Sequence, residues 1–251
     1  MQTGKRYGFA VAEGYYVAEQ KMPLEEQVWL LSMVDIFEPL SQEELEEIGR
    51  RAPDIHVRQG GVFGTPDDRG ERLYVLKRGR VQVYEVDDEG RELTLLVAEG
   101  GTVLGEMALT GQRLSGVYLR ALEPSVVCTL RREDLEYLIR RNPEVGLRLV
   151  KLLSRRLRVT TTRLAEFAYK DVLSRLAAQI LRLLGSEGVV SREGYKIPTR
   201  YTHEQLATMV GSKRVAVSRA FAKLKEEGIL ELRDQRIHIA DPEALKRIAG
   251  A

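Results

Sequence analysis

The sequence predicts an α+β protein: a small antiparallel β barrel of jelly-roll type, then one long helix, then a winged helix-turn-helix. Three observations carry the prediction. Between Ile55 and Leu130, short alternating or apolar runs are cut at regular intervals by turn signals. From Pro143 to about Tyr169, an apolar seam recurs at spacings of three and four. From Tyr201 to Leu224, the run YTHEQLATMVGSKRVAVSRAFAKL has its apolar residues where two short helices crossing at a tight turn need them.

At 251 residues the chain has room for two domains, each with its own core. The expected division is an N-terminal arm at 1–23, a barrel with flanking helices at 24–142, a dimerisation helix and hinge at 143–170, and a winged helix at 171–251. The arm has no clear period and stops at Pro23, and a short helix is expected within Leu24–Phe37. Ser41-Gln42-Glu43-Glu44 has capping-box form and should open a helix running to about Arg51. Five runs then read as strands: Arg72–Leu76, Val81–Val86, Leu93–Val97, Val117–Leu122 and Ser125–Leu130. Gly60-Gly61, Asp67-Asp68, Arg78-Gly79, Asp88-Glu89-Gly90 and Gly100-Gly101 supply the turns. A stretch of about 75 residues suffices for an eight-stranded jelly roll at ordinary strand lengths.

Arg131–Arg140 reads as a short helix stopped by Asn142-Pro143, and Pro143 can be the first residue of the long helix. There Leu149, Leu153, Leu157, Thr160, Leu164 and Phe167 form the narrow seam of a two-helix coiled coil, with Arg155, Arg156, Arg158 and Arg163 on its flanks. That seam predicts a homodimer. Asp171 should cap the next helix, Val172–Leu184, and Gly185-Ser186-Glu187-Gly188 should lead into a loop.

In the helix pair, Leu206, Val210, Val217 and Ala220 are the apolar contacts, Ala207 is small where the helices touch, and Gly211 suits a positive φ in the turn. Ser212 is expected to cap the second helix. Val217, Phe221 and Leu224 face inward, which leaves Arg214, Val215, Ser218 and Arg219 outward near the N-terminus, the end that enters a major groove. With Thr202, Ser212 and Lys213 they make up the candidate DNA-binding set. Charge agrees with that assignment. Net charge is only +2, yet no acid occurs from Gln205 to Lys225, where Lys213, Arg214, Arg219, Lys223 and Lys225 gather. Gly228–Leu232 and Arg236–Ile239 alternate as a hairpin turning at Asp234-Gln235, which supplies the wing.

Other chemistries are poorly provided for. A single cysteine, Cys128, lies in an apolar run; it excludes an intramolecular disulfide and a cysteine-built metal site, and reads as a buried small hydrophobe. His56, His203 and His238 have no ligand spacing, and only His56 falls in the barrel segment, so an enzyme built on barrel histidines is not expected. A subunit binding protein alone would leave the winged helix unexplained. No apolar run approaches the ~20 residues of a membrane span, and no signal peptide is recognisable, so the protein is expected in the cytoplasm.

The order helix, small barrel, long helix, winged helix resembles the CRP/FNR family of bacterial transcription regulators, named for the cyclic-AMP receptor protein. The resemblance covers about Val34 to Ala240 and rests on RGRVQVY, DEGRELTLL, GEMAL, RRLRVTT and GSKRVAVSRAFAKL. It implies a cyclic-nucleotide-binding-like barrel with an effector pocket, a homodimer on a two-fold symmetric site in double-stranded DNA, and contact with RNA polymerase. It also implies that Arg219 reads a guanine through the bidentate Arg to O6/N7 pair. Where many members carry a cytosine-reading glutamate this chain has Val215, whose methyls suit a thymine methyl instead. Arg214-Val215-x-Val217-x-Arg219 is similar to the cyanobacterial nitrogen regulators of the family, whose half-site is similar to GTA.

Gly105-Glu106-Met107-Ala108-Leu109 resembles the front of the family's phosphate cassette, and Thr160 and Thr161 match the long-helix hydroxyls that reach a bound adenine. The family's phosphate arginine, however, falls on Ser115, with Arg113 two residues upstream. Three effector readings stay open: cyclic AMP with Arg113 as substitute, another small anion such as 2-oxoglutarate held by Arg113 and a long-helix arginine, or no effector with control by amount.

Overall fold

A computed structural model describes residues 17–18, 22–52, 54–65, 72–106, 116–191 and 194–250. Contacts divide the chain into two units: the residues up to Glu85 with Leu96–Lys151, and Val86–Leu95 with Leu152–Ala251.

The barrel unit begins with β1 (Val17–Ala18), α1 (Leu24–Ser32), a 3₁₀ turn at Asp35–Phe37 and α2 (Gln42–Arg51). The capping box forms as predicted: Ser41 Oγ accepts from the Glu44 amide at 3.3 Å, and Glu44 accepts from the Ser41 amide at 2.9 Å. The strands are β2 (Asp54–Val57), β3 (Val62–Gly64), β4 (Arg72–Arg78), β5 (Arg80–Val86), β6 (Glu92–Glu99), β7 (Thr102–Leu104), β8 (Val117–Ala121) and β9 (Ser125–Arg131), followed by α3 (Arg132–Arg141). They form one sheet in the order β1-β2-β9-β4-β7 and a second in the order β3-β8-β5-β6. All five predicted strands are present. β2, β3 and β7 are too short for their alternation to stand out in the sequence.

Leu73, Val75, Leu76, Val81, Leu119, Ala121 and Val127 are fully buried. Gly79, at φ +97°, closes the tight β4–β5 connection, and a Cβ there would lie 2.8 Å from the Ser125 backbone. Cys128 is buried as expected, and burial pushes its thiol pKa up to about 12. Beside it a charged pair crosses β9: Lys77 Nζ lies 2.7 Å from Asp54 Oδ1, and both side chains are buried. That pair had no signature in the sequence, because two strands on either side of β9 bring it together.

α4 (Pro143–Tyr169) has the predicted limits, with Pro143 as its first residue. α5 (Val172–Glu187) follows, and Asp171 Oδ1 accepts from the Ser174 amide at 2.8 Å. The helix runs through Gly185-Ser186-Glu187, past its expected end at Leu184. Leu183 keeps it anchored by burial, and the Glu187 carboxylate accepts from the Thr199 and Tyr201 hydroxyls. Together these outweigh the ~1 kcal/mol that a helical glycine costs.

A four-stranded sheet then forms in the order β10-β11-β13-β12, from β10 (Val189–Ser191), β11 (Gly194–Lys196), β12 (Leu230–Arg233) and β13 (Arg236–Ile239). β10 and β11 stand where a loop is expected from the sequence. Between these pairs lie α6 (His203–Val210) and α7 (Arg214–Glu226), and α8 (Pro242–Ala249) closes the domain against α5. No helix of the described residues is long and apolar enough to cross a membrane.

Candidate nucleic-acid interface

Each end of α6 is closed by its own residues. Thr202 Oγ1 accepts from the Gln205 amide at 3.1 Å, and Gln205 Oε1 accepts from the Thr202 amide at 2.8 Å. The Thr202 hydroxyl is therefore engaged as a cap. At the other end Gly211 adopts φ 58°, ψ 53°, the left-handed conformation expected of it, and the Ser212 amide donates to the Ala207 carbonyl at 3.0 Å. Glycine is required twice over, since a Cβ would lie 2.5 Å from the Phe167 ring.

The capping role expected of Ser212 is corrected. The N-cap of α7 is Lys213, and no side chain caps the helix. Ser212 instead completes the turn closing α6, which leaves it one residue too early. The first turn of α7 also carries no acid, so its N–H groups and the positive end of its dipole are left to attract an anion.

Val217, Ala220, Phe221 and Leu224 bury the inner face of α7 against α5 and α6. Lys213, Arg214, Arg219, Lys223 and Lys225 are exposed on the remainder, and Ser218 is half-buried. Val215 is 61% exposed, a large apolar side chain in the first turn of a cationic surface. Such a residue adds nothing to the core and is suited to a methyl contact in a groove. Asp234 and Gln235 both take positive φ, 51° and 62°, at the tip of the β12–β13 wing, as a two-residue hairpin turn requires.

The exposed apolar residues of α4 include Val150, Leu153, Leu157, Leu164 and Phe167, with Thr160 exposed among them; Leu147, Val159 and Tyr169 are exposed as well. Leu149, placed on this seam by its spacing, is only 5% exposed and belongs to the barrel unit's core, whereas Val150 is 59% exposed. Leu149 therefore drops out of the exposed stripe, whereas Leu153, Leu157, Thr160, Leu164 and Phe167 remain on it. Phe167 has a second use, packing on Gly211 with the Arg175 guanidinium 5.2 Å from its ring centre.

Of the barrel residues expected to bind an effector, Gly105 is buried and Glu106 half-buried just after β7. Met107, Arg113 and Ser115 lie outside the described residues. Thr160 and Thr161 are exposed on the part of α4 that belongs to the other unit, and Thr161 Oγ1 donates back to the Leu157 carbonyl at 2.8 Å. Among the described residues no cluster of His, Cys, Asp and Glu could hold a metal ion.

Three arginines have roles that the sequence did not reveal. Arg175 donates from Nε to the Val210 carbonyl at 3.1 Å and from Nη1 to the Lys170 carbonyl at 2.7 Å, tying the end of α6 to the start of α5. Arg182 donates to both carboxylate oxygens of the buried Glu166 at 3.0 Å. Arg163 donates to the carbonyls of Thr94 and Leu95, and burial, aided by the nearby Arg182, lowers its pKa. An arginine committed to carbonyls in this way is a poor carboxylate partner for an effector. All three act on groups outside their own helical turn, so no local pattern marks them.

Comparison with known proteins agrees with this architecture. Residues 55–142 match the family model of the cyclic nucleotide-binding domain, and residues 174–248 match that of the Crp-like helix-turn-helix domain. A global nitrogen regulator from Synechocystis sp. is 30% identical over 184 residues, 72% of this chain and 82% of that protein. A cyclic AMP receptor protein from Thermus thermophilus is 32% identical over 191 residues, 76% of this chain and 85% of that protein. Among solved structures, a CRP-family transcriptional regulator, also from Thermus thermophilus, superposes with a TM-score of 0.67 at 26% identity, covering 78% of this chain and 96% of that one. With both domain models matched in order and relatives aligned along most of their length, the chain belongs to the CRP/FNR family of transcription regulators and carries a helix-turn-helix DNA-binding domain.

Proposed function

We propose that the protein acts as a homodimer that binds a two-fold symmetric duplex site through the N-terminal half of α7. The observation that carries this reading is the outer face of α7, free of acid until its last residue Glu226, with Arg214, Val215 and Arg219 exposed on its first turns and no side chain capping its start. Lys213, Lys223 and Lys225 neutralise phosphates, which positions the helix without reading sequence. Arg219 reads a guanine edge and Val215 a thymine methyl, so the half-site contains G and T. The stripe from Val150 to Phe167 supplies the dimer contact. RNA polymerase is the further partner, as in the family.

The barrel takes a small anionic effector beside Gly105 and Glu106, with cyclic AMP and 2-oxoglutarate as the two candidates. This rests on the cyclic nucleotide-binding match and on relatives named for a cyclic AMP receptor and a nitrogen regulator. Arg113 is the cation proposed for the effector, and Arg163, engaged with backbone carbonyls, is set aside as its long-helix partner. Such a ligand acts by shifting the dimer toward a DNA-competent population.

Two measurements test the reading. Selection on randomised duplex with the purified protein should return a palindrome with G and T in each half. Recovery of only random sequence would remove the base-reading assignment. Calorimetry against cyclic AMP, cyclic GMP and 2-oxoglutarate should give heat with one of the first and last. Silence from all three would leave control by the amount of protein.

A further inference from the structure

His203 is the first residue of α6, directly behind the Thr202 cap, and its half-exposed imidazole reaches across to α7. Its Nδ1 lies 2.8 Å from Ser218 Oγ. The ring rests on Phe221, with centroids 5.0 Å apart and planes tilted by 41°. Phe221 is only 2% exposed, so the imidazole is backed by the domain core and its direction is set by packing. Ser218 falls one turn after Arg214, three residues after Val215 and next to Arg219, within the outer face of α7.

A serine hydroxyl has one hydrogen to donate and two lone pairs to accept with. In mid-helix it normally turns freely or donates to the carbonyl four residues back. Here an imidazole nitrogen holds it. When Nδ1 accepts, the only donor of Ser218 is consumed, and the oxygen can present nothing but acceptor capacity to a duplex. In the major groove, adenine N6 and cytosine N4 offer hydrogens, whereas guanine O6 and N7 and thymine O4 do not.

We propose that His203 is a positioning residue that determines specificity: it holds Ser218 as an acceptor, so that α7 favours an adenine or cytosine at the base facing Ser218. His203 touches no base itself. This inference rests on the DNA-binding reading above and adds to it a second-row residue outside the recognition helix.

The test is a binding selection on randomised half-sites, followed by gel-shift titration, for the wild-type protein and for His203→Phe, His203→Asn, Ser218→Ala and the His203→Phe/Ser218→Ala double variant. His203→Phe keeps a ring on Phe221 but has no nitrogen. It should reduce the preference for adenine or cytosine at one position by about fivefold, the worth of a single neutral hydrogen bond. The preference set by Arg219 and the melting temperature should not move. His203→Asn carries a polar atom on the same branch as Nδ1 and should restore the preference. In the Ser218→Ala background, His203→Phe should change nothing further at that position. Equal weakening on every sequence, random duplex included, would overturn the proposal in favour of a phosphate or packing role. So would a wild-type preference for guanine or thymine at that base, or full additivity in the double variant. Failure of the wild-type protein to prefer any sequence over random duplex would overturn both readings at once, and is recognisable because it appears before any substitution is made.

Discussion

Single residues divide into those whose role shows in the sequence and those whose role depends on a distant neighbour. Arg219 belongs to the first group. It is exposed, lies past a marked turn, and is flanked by cations. Replacing it with alanine should cost about 1–3 kcal/mol on the best operator, the worth of one bidentate base contact, with little change on random duplex. Gel shifts on both duplexes check this, and equal loss on both would assign Arg219 to phosphate instead. Val215→Glu should move the preferred base from thymine to cytosine, because a carboxylate accepts from N4 and a valine cannot. The buried Lys77–Asp54 pair belongs to the second group. Asp54→Ala strands a cation in the barrel core and should destabilise the fold by roughly 3–5 kcal/mol, read from urea unfolding. An Asp54→Leu/Lys77→Met double variant should recover most of that. Neither residue could be paired from sequence, since they sit on different strands separated by a long segment.

Elements were legible where their ends carry chemistry. Ser41 and Asp171 cap as their spacing to the following helix implies, whereas Thr202, placed in the DNA-binding set by the sequence, is found capping α6. Asp171→Ala should cost about 1 kcal/mol at neutral pH. The Ser174 amide, by its hydrogen bond, holds the Asp171 carboxyl below its usual range. Its folded pKa is thus depressed, so its stabilisation is present above the unfolded carboxylate range and is lost as pH falls. The difference between wild type and variant should therefore shrink below about pH 4, which paired thermal melts would show. Ser212 and the 185–188 segment mark the limit. A small polar residue after a turn glycine looks like a cap, but the Ser212 amide closes the preceding helix. Gly185 looks like a helix stop, but Leu183 and Glu187 hold the helix open past it. On α4 the seam from Leu153 to Phe167 is exposed as its spacing implies, and only Leu149 turns inward, with Val150 exposed beside it. Leu157→Asp, at the centre of the exposed stripe, should abolish both the dimer and specific binding. A stable dimer in ultracentrifugation would refute the stripe as the interface.

At the scale of the whole molecule, a symmetric pair of winged helices must present two copies of α7 about one DNA turn apart, ~34 Å or ~10 base pairs centre to centre. Inserting about five base pairs between the half-sites turns one of them to the opposite face of the duplex and should remove specific binding, whereas inserting about ten should restore part of it. Equal affinity for all three spacings in a gel shift would mean that each subunit binds alone. The sequence by itself determined the order of parts, the five main strands, the caps at Ser41 and Asp171, the left-handed Gly211 and the cationic outer face of α7. These are set by neighbours within a few residues, through periodicity, turn geometry and charge. Tertiary structure alone decided that Leu149 turns inward, that Ser212 serves α6 and not α7, that Lys77 finds Asp54, that Arg163 and Arg175 hold backbone carbonyls, and that His203 grips Ser218. Each of these depends on a partner from another element, and which partner arrives is fixed only once burial has brought the elements together.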